Sequence, residues 1–309
     1  MKYTRPIHLL GARRTPLGRF GGGLRGLTPV DLALPVVRAL VPEALKTQVG
    51  QVVLGQMLPA GGGMNAARQL ALRLGLPQET TAFTVNMACA SGLKAVLLAA
   101  DRLAAGASGL ALAGGVEAMS RAPHYAPEVR WGKRLGDAAL TDALMADGLS
   151  DPVLGVPMGE TAERVADLLK VSREEQDRFA LESHRRAIAS REALAREIVA
   201  VRGPDGEVTT DEAPRADSSP EKLAKLSAAL AQGAKPPAPS TAPPGQELMS
   251  PGDEVDGNAS DQRGRQTVPG VGIPGRSAGK AKTGTAAAAP ASASVWAVVL
   301  ATFAEEGHQ

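Results

Sequence analysis

The 309-residue sequence is poor in the residue types that would tie it to several functions. It has one cysteine, Cys89, so an internal disulfide and a cysteine-based zinc cluster are both excluded. This sparing use of thiols fits a reducing compartment. Aromatic residues make up only 3%, too few for base-stacking platforms. The net charge is +2 with acidic and basic residues interspersed, so no basic stripe of the kind nucleic acid requires is present. No apolar run approaches the about 20 residues of a membrane span, and "SVWAVVLATF" (Ser294–Phe303) falls well short. The start, "MKYTRPIHLLGARRTP", lacks the long apolar core of a signal peptide. The protein is therefore read as soluble and cytoplasmic, with no nucleic-acid or membrane partner and no metal.

What is present is a strand–helix alternation. "IHLLGA" reads as a strand, with His8 expected in its buried part. "TPVDLALPVVRAL" reads as a helix with Thr28 as N-cap, Pro29 in the first turn, Asp31 at the positive end and Pro35 expected to bend it. "QVVLGQ" and "TAFTVN" read as strands, and "NAARQLALRLGLP" as a helix ended by Gly75 and Pro77. A helix is expected from Ser91 to Ala105, with Leu93, Val96, Leu97, Ala100 and Leu103 as its packed face. "LALAGG" follows as a strand buried on both sides. The class is α/β with a layered sheet. From Arg121 the texture becomes more charged. "SREEQDRFALESHRRAIA" reads as a helix opened by a Ser172/Glu175 capping box. Beyond Ser227 the chain is rich in Pro, Gly, Ala, Ser and Lys, and residues 233–293 are expected to be irregular or disordered.

The chemistry is expected in "TVNMACASGLKAV" (Thr84–Val96). A thiol attacks a carbonyl as the thiolate, and a helix start favours negative charge through its unpaired N–H groups. Cys89 follows a strand and leads into a helix. Small neighbours (Ala88, Ala90, Ser91, Gly92) leave room for a substrate. The competing reading is a buried structural cysteine, because a free thiol packs as a small hydrophobe.

Around this segment the sequence resembles the thiolase family. The resemblance is carried by "RRTPLGRFGGGL" (Arg13–Leu24), "NAARQLALRLGLP", "TVNMACASGLKAV" and "AGGVEAMSRAPH" (Ala113–His124). It continues through "RWGKRLGDAALTDALMADGLSD" (Arg130–Asp151), "MGETAERVA" (Met158–Ala166) and "SREEQDRFALESHRRA" (Ser172–Ala187). It covers roughly residues 5–226.

The resemblance implies a thiolase-like layered fold with residues 1–120 as the N-terminal α/β core and 121–232 as a loop domain that holds coenzyme A. It implies an acyltransferase acting on acyl-CoA and 3-ketoacyl-CoA thioesters through an acyl-cysteine on Cys89, with no permanently bound cofactor and coenzyme A thioester as substrate. Leu149 and Met158 would line the pantetheine channel, and Ser260, in "DGNAS", would contact the pantetheine. Arg134, Arg164 and Lys222 are the basic side chains considered for the phosphates. A homodimer or homotetramer is implied.

The sequence also departs from the family pattern. The family's His-Met-Gly triplet is Pro157-Met158-Gly159 here. The second-half groups of the family, an oxyanion asparagine, a Gly-His-Pro histidine and a second cysteine, have no counterpart among His8, His124, His184, His308 and Cys89. "WAVVLATFAEEG" (Trp296–Gly307) resembles the strand that opens the family's second half, so 294–309 reads as a remnant of a half that is otherwise largely absent. Impaired activity is expected on this count. The alternative is a non-catalytic acyl-CoA-binding or oligomerisation partner.

Overall fold

The computed structural model describes residues 6–226 in full and the backbone of 291–301. The sheet domain is built from β1 (His8–Arg14), β2 (Gly18–Arg19), α1 (Pro29–Leu40), β3 (Val49–Gly55), α2 (Ala66–Leu74), β4 (Thr81–Val85), α3 (Ser91–Ala104) and β5 (Leu110–Ala118). The charged stretch that follows forms short hairpins, β6–β7 (His124–Tyr125 and Thr141–Asp142), β8–β9 (Ser150–Asp151 and Val156–Pro157) and β10–β11 (Val201–Gly203 and Gly206–Val208). Its helices are α4 (Met158–Leu169), α5 (Arg173–Ala189), α6 (Arg191–Ala195) and α7 (Pro220–Ala224). The last described strand is β12 (Ala291–Ala301).

Local chemistry explains the main boundaries. Thr28 and Asp31 form a reciprocal capping box at the start of α1, and that helix runs on through Pro35. Asp31 also receives Arg73 of α2 at 2.7 Å, which ties the two helices together. Asn65 caps α2, and Gly75 ends it in the left-handed region (φ 81°), where glycine carries no Cβ penalty. Ser172 and Glu175 form the expected capping box of α5.

The strand order is β1-β12-β5-β3-β4, with β2 also on β12. Strand β3 runs parallel to both β4 and β5, and β12 is antiparallel to its neighbours β1 and β5. The sheet is covered on both faces. Val52, Leu54, Leu112 and Val116 face α1 and α2, whereas Val53, Ala111 and Ala113 face α3. That alternation is the period of two of a pleated strand. It explains why "LALAGG" reads as a continuous apolar run.

Several expectations are corrected. His8 is exposed, as are Leu9 and Leu10, because β1 is an edge strand. The packed face of α3 is Ser91, Ala95, Ala99, Ala100 and Leu103, while Leu93 (60% exposed) and Leu97 (46%) point away. The strand face beneath α3 carries small side chains, so the helix packs close and turns its alanines inward. Residues 291–293, placed by sequence in the irregular segment, begin β12. The described part of the stretch read as opening a second half lies in β12, an inner strand of this sheet paired on both sides. The rest of the 233–293 expectation, up to residue 290, lies outside the described residues, as does everything after 301.

The charged stretch is attached to the sheet domain by an acidic clamp on the N-terminal segment. Asp211 takes the Arg14 guanidinium through two bonds (2.7 and 3.0 Å) and the Leu17 N–H at 2.8 Å. Glu197 takes Arg14 Nε at 2.6 Å. Glu212 accepts the N–H groups of Arg19 (2.8 Å) and Gly23 (3.0 Å). Val201 meanwhile joins the larger apolar core, with Val199 and Val208 packed against it. Among the described residues no helix is long and apolar enough to cross a membrane.

Burial works against the Asp31 charge, yet the hydrogen bonds from Thr28 and Arg73 prevail and hold its carboxyl below the ordinary 3.8. A lowered folded-state value gives stability that is present above 3.8 and lost as pH falls through the lower folded value. Asp31→Ala is expected to cost about 1 kcal/mol in urea unfolding at neutral pH. The difference between variant and wild type should shrink as the pH is brought well below 3.8.

Candidate active site

Cys89 is exposed and sits in the turn between β4 and α3. It lies one residue before Ala90, the N-cap of α3, so it stands just outside the first helical turn. The structural reading of a buried thiol is thereby excluded.

The turn is held from both sides. The Met87 N–H donates to Ser91 Oγ at 2.8 Å, and that hydroxyl donates to the Ala88 carbonyl at 2.6 Å. The Ala88 N–H donates to Asn86 Oδ1 at 2.9 Å, and Asn86 Nδ2 donates to the Met57 carbonyl at 3.2 Å. Ser91 is 5% exposed, so its hydroxyl is an internal brace. Ala88 has φ 48°, a left-handed conformation that a side-chain-bearing residue adopts only when its surroundings enforce it. The result is a sharp strand-to-helix elbow that presents the next side chain, Cys89, outward. Ser91, Gly92 and Leu93 open α3, and the first N–H groups of a helix have no intrahelical acceptor. Of these, the Ser91 N–H is taken by the Ala88 carbonyl.

Gly55 makes the elbow possible. A Cβ on Gly55 would overlap the backbone of Ser91 and Gly92, so only glycine lets the start of α3 lie against the end of β3.

Glu117, near the end of β5, was missed by sequence reasoning. Its carboxylate accepts the N–H groups of Met57 (2.8 Å) and Leu58 (3.3 Å). Burial pushes this carboxyl above its ordinary 4.5, against the pull of the N–H groups of Met57, Leu58 and Ala118. The available signal was one carboxylate inside "LALAGGVEA", an otherwise uncharged strand.

The Met57–Leu58 segment also meets the charged stretch. A Cβ on Gly148 would touch Met57 Cε at 3.3 Å and Leu58 Cδ1 at 3.6 Å. Gly148 belongs to the π-helical turn Leu144–Leu149, which ends on Leu149. Hairpin β8–β9 pairs Ser150 with Pro157, so Leu149 and Met158, the residues just outside that pair, lie at the same end of the hairpin. Leu149 is half-buried and Met158 is exposed. Ser260 lies outside the described residues.

Met158 begins α4, and Ala162, Val165 and Ala166 follow on the same helical face at intervals of four, seven and eight. Those three residues line a groove of about 1010 Å³ that also contains Phe179, Arg178 and Arg215. Arg19 reaches the same groove. The basic residues singled out by sequence do not line it. Lys222 pairs with Asp217 at 2.7 Å, and Arg134 and Arg164 are exposed elsewhere. Cys89, Leu149 and Met158 are likewise outside its lining.

His124 is exposed in β6, and His184 Nδ1 accepts the Arg215 N–H at 3.3 Å. Among the described residues no group of His, Cys, Asp and Glu could hold a metal ion.

The family described as "Thiolase, N-terminal domain" matches residues 7–235. The acetyl-CoA acetyltransferase of Chromobacterium violaceum is 42% identical over 229 residues, 71% of this chain and 58% of that protein. The probable acetyl-CoA acetyltransferase of Escherichia coli K12 is 43% identical over 228 residues, with the same two shares of 71% and 58%. The crystal structure of the Bacillus anthracis acetyl-CoA acetyltransferase superposes with a TM-score of 0.68 at 37% identity, covering 74% of this chain and 60% of that one. The acetyl-CoA acetyltransferase of Syntrophomonas wolfei gives 0.72 at 26% identity, covering 96% and 64%. The chain thus spans a little under three fifths (58%) of the length of the curated relatives from C. violaceum and E. coli.

Gly55→Ala is expected to destabilise the protein by about 1–3 kcal/mol, because the added methyl meets backbone that cannot step aside. Gly109→Ala is the control, since nothing lies within 4 Å of its Cβ position. Urea unfolding of both variants checks this, and equal stabilities would contradict the close-approach argument.

Proposed function

This chain belongs to the thiolase family, and on that footing we propose that it is a thiolase-type acyltransferase for acyl-CoA and 3-ketoacyl-CoA thioesters, in which an acyl-CoA acylates Cys89 and a 3-ketoacyl-CoA is the compound whose carbon–carbon bond is made or broken. The observation that carries this reading is the exposed Cys89 on a braced strand-to-helix elbow. In the proposed step the Cys89 sulfur adds to the thioester carbonyl and the bond from that carbon to the coenzyme A sulfur breaks. The acyl group is left on Cys89, and the thiol proton ends on the departing coenzyme A sulfur. One thioester replaces another, so the step needs no metal or redox cofactor. The elbow's contribution is to hold the sulfur at a fixed angle beside the N-terminus of α3.

Residues 1–120 would supply this elbow and 121–232 the coenzyme A-binding part, with Leu149 and Met158 beside the pantetheine arm. The groove between α4, α5 and residues 213–226 supports this division, because it joins an apolar wall (Val165, Phe179, Leu226) to guanidinium groups (Arg178, Arg215) suited to a nucleotide phosphate. With one cysteine in the chain, the α-proton transfer that the family assigns to a second cysteine has no thiol here. A missing general base typically costs about 10²–10⁴ in rate, so acylation is expected to outpace carbon–carbon bond formation by this chain alone. A homodimer or homotetramer is part of the same proposal, supported by the exposed apolar side chains of Trp131, Leu135 and Leu140.

Incubation with acetyl-CoA followed by intact-mass measurement is expected to show one acetyl group, absent in Cys89→Ala. Arg215→Ala is expected to weaken coenzyme A binding about tenfold while leaving alkylation of Cys89 by iodoacetamide unchanged. Coenzyme A binding without acetylation would sink the acyltransfer reading and favour a non-catalytic binding protein.

A further inference from the structure

We infer that Glu117 is a positioning residue for Cys89, acting through the Met57–Leu58 segment and Asn86. The inference rests on the reading of Cys89 as the nucleophile, since a thiol without chemistry needs no aim.

The path is continuous. The Glu117 carboxylate receives Met57 N–H at 2.8 Å and Leu58 N–H at 3.3 Å, one on each oxygen. The carbonyl of the same Met57 receives Asn86 Nδ2 at 3.2 Å. Asn86 Oδ1 receives the Ala88 N–H at 2.9 Å. Ala88 is the left-handed residue whose peptide bond leads directly into Cys89. The end of β5 is thus wired to the elbow by hydrogen bonds that converge on one residue, Met57.

Gln56 frames the same segment from within. Its N–H donates to Val85 O at 3.0 Å and its Nε2 donates to Leu58 O at 3.1 Å. The loop is therefore held by its carbonyls through Gln56 and Asn86, and by its N–H groups through Glu117. Two adjacent backbone donors need two acceptor oxygens, which a carboxylate has and an amide lacks. Glutamine at this position would keep the shape but turn an NH₂ group toward one of the two N–H groups. Because Gly148 packs on Met57 and Leu58, the same carboxylate also sits behind the contact between this segment and the charged stretch.

The test uses the full chain as wild type, Glu117→Gln and Asn86→Ala, the last cutting the same path at an exposed residue. Acetylation by acetyl-CoA, coenzyme A affinity, thermal midpoint and hydrogen exchange are measured on each. Glu117→Gln is expected to slow acetylation of Cys89 about tenfold or more, since aim is what is lost, with coenzyme A affinity unchanged. Exchange should quicken at Met57, Leu58 and the Asn86–Cys89 turn and stay unchanged in α1. Asn86→Ala should reproduce the effect on the turn, and carries the test if Glu117→Gln fails to fold.

A folded Glu117→Gln variant with acetylation within twofold of wild type and unchanged exchange in the turn would overturn the inference. So would faster exchange throughout the molecule with parallel losses of affinity and midpoint, because that marks a purely structural carboxylate. If wild type takes no acetyl group while the exchange pattern is as expected, the acyltransfer reading fails and the coupling of Glu117 to the turn stands.

Discussion

The close approach of α3 to the sheet is the constraint on which the rest of the structure depends. It is made of small residues on both sides, with Ala95, Ala99 and Ala100 facing Val53, Ala111 and Ala113. At the helix start even a methyl group would be too much, which is the role of Gly55 beneath Ser91. Further along, the buried Gln51 side chain donates to the Ala99 carbonyl at 3.0 Å and accepts Arg102 Nε at 2.7 Å. A helix pinned at both ends in this way cannot drift along the strand. The turn at its head therefore has one geometry, and the left-handed Ala88 is carried by that rigidity.

The Met57–Leu58 segment touches both parts of the molecule. On one side it receives Asn86 from the elbow, and on another it lies under Gly148 of the charged stretch. The charged stretch is fixed independently at its far end, where Asp211, Glu212 and Glu197 hold Arg14 and the glycine-rich turn after β2. These acidic groups face a guanidinium and backbone donors in a part-buried setting, where each charge has its partners in place. The groove-bearing stretch is thus anchored to the sheet domain at two separated points.

Much of this was readable from residue types alone. The capping residues Thr28 and Ser172, the Gly75 stop and the alternation of strands with helices all follow from short-range rules, and they lie where those rules put them. The thiol's place between a strand and a helix was equally local. Within the expected stripe Val96, Ala100 and Leu103 do pack inward but Leu93 and Leu97 do not, because helical spacing marks an apolar face without fixing how far it is rotated toward the sheet. Glu117 escaped notice because its significance depends on Met57, about 60 positions earlier in the chain.

The amino-acid order by itself determined the main strands and helices of the sheet domain, the caps at Thr28 and Ser172, the α/β class and the identity of the one thiol, since each depends on neighbours within a few residues. Tertiary structure alone decided that β12 enters the middle of the sheet, that the small face of α3 is the buried one, and that the Arg178 and Arg215 guanidiniums line the groove. It also decided that a carboxylate on β5 stands behind the cysteine turn. Those outcomes depend on shape fit and hydrogen bonding between segments far apart in the chain, and such pairings exist only once the chain has packed.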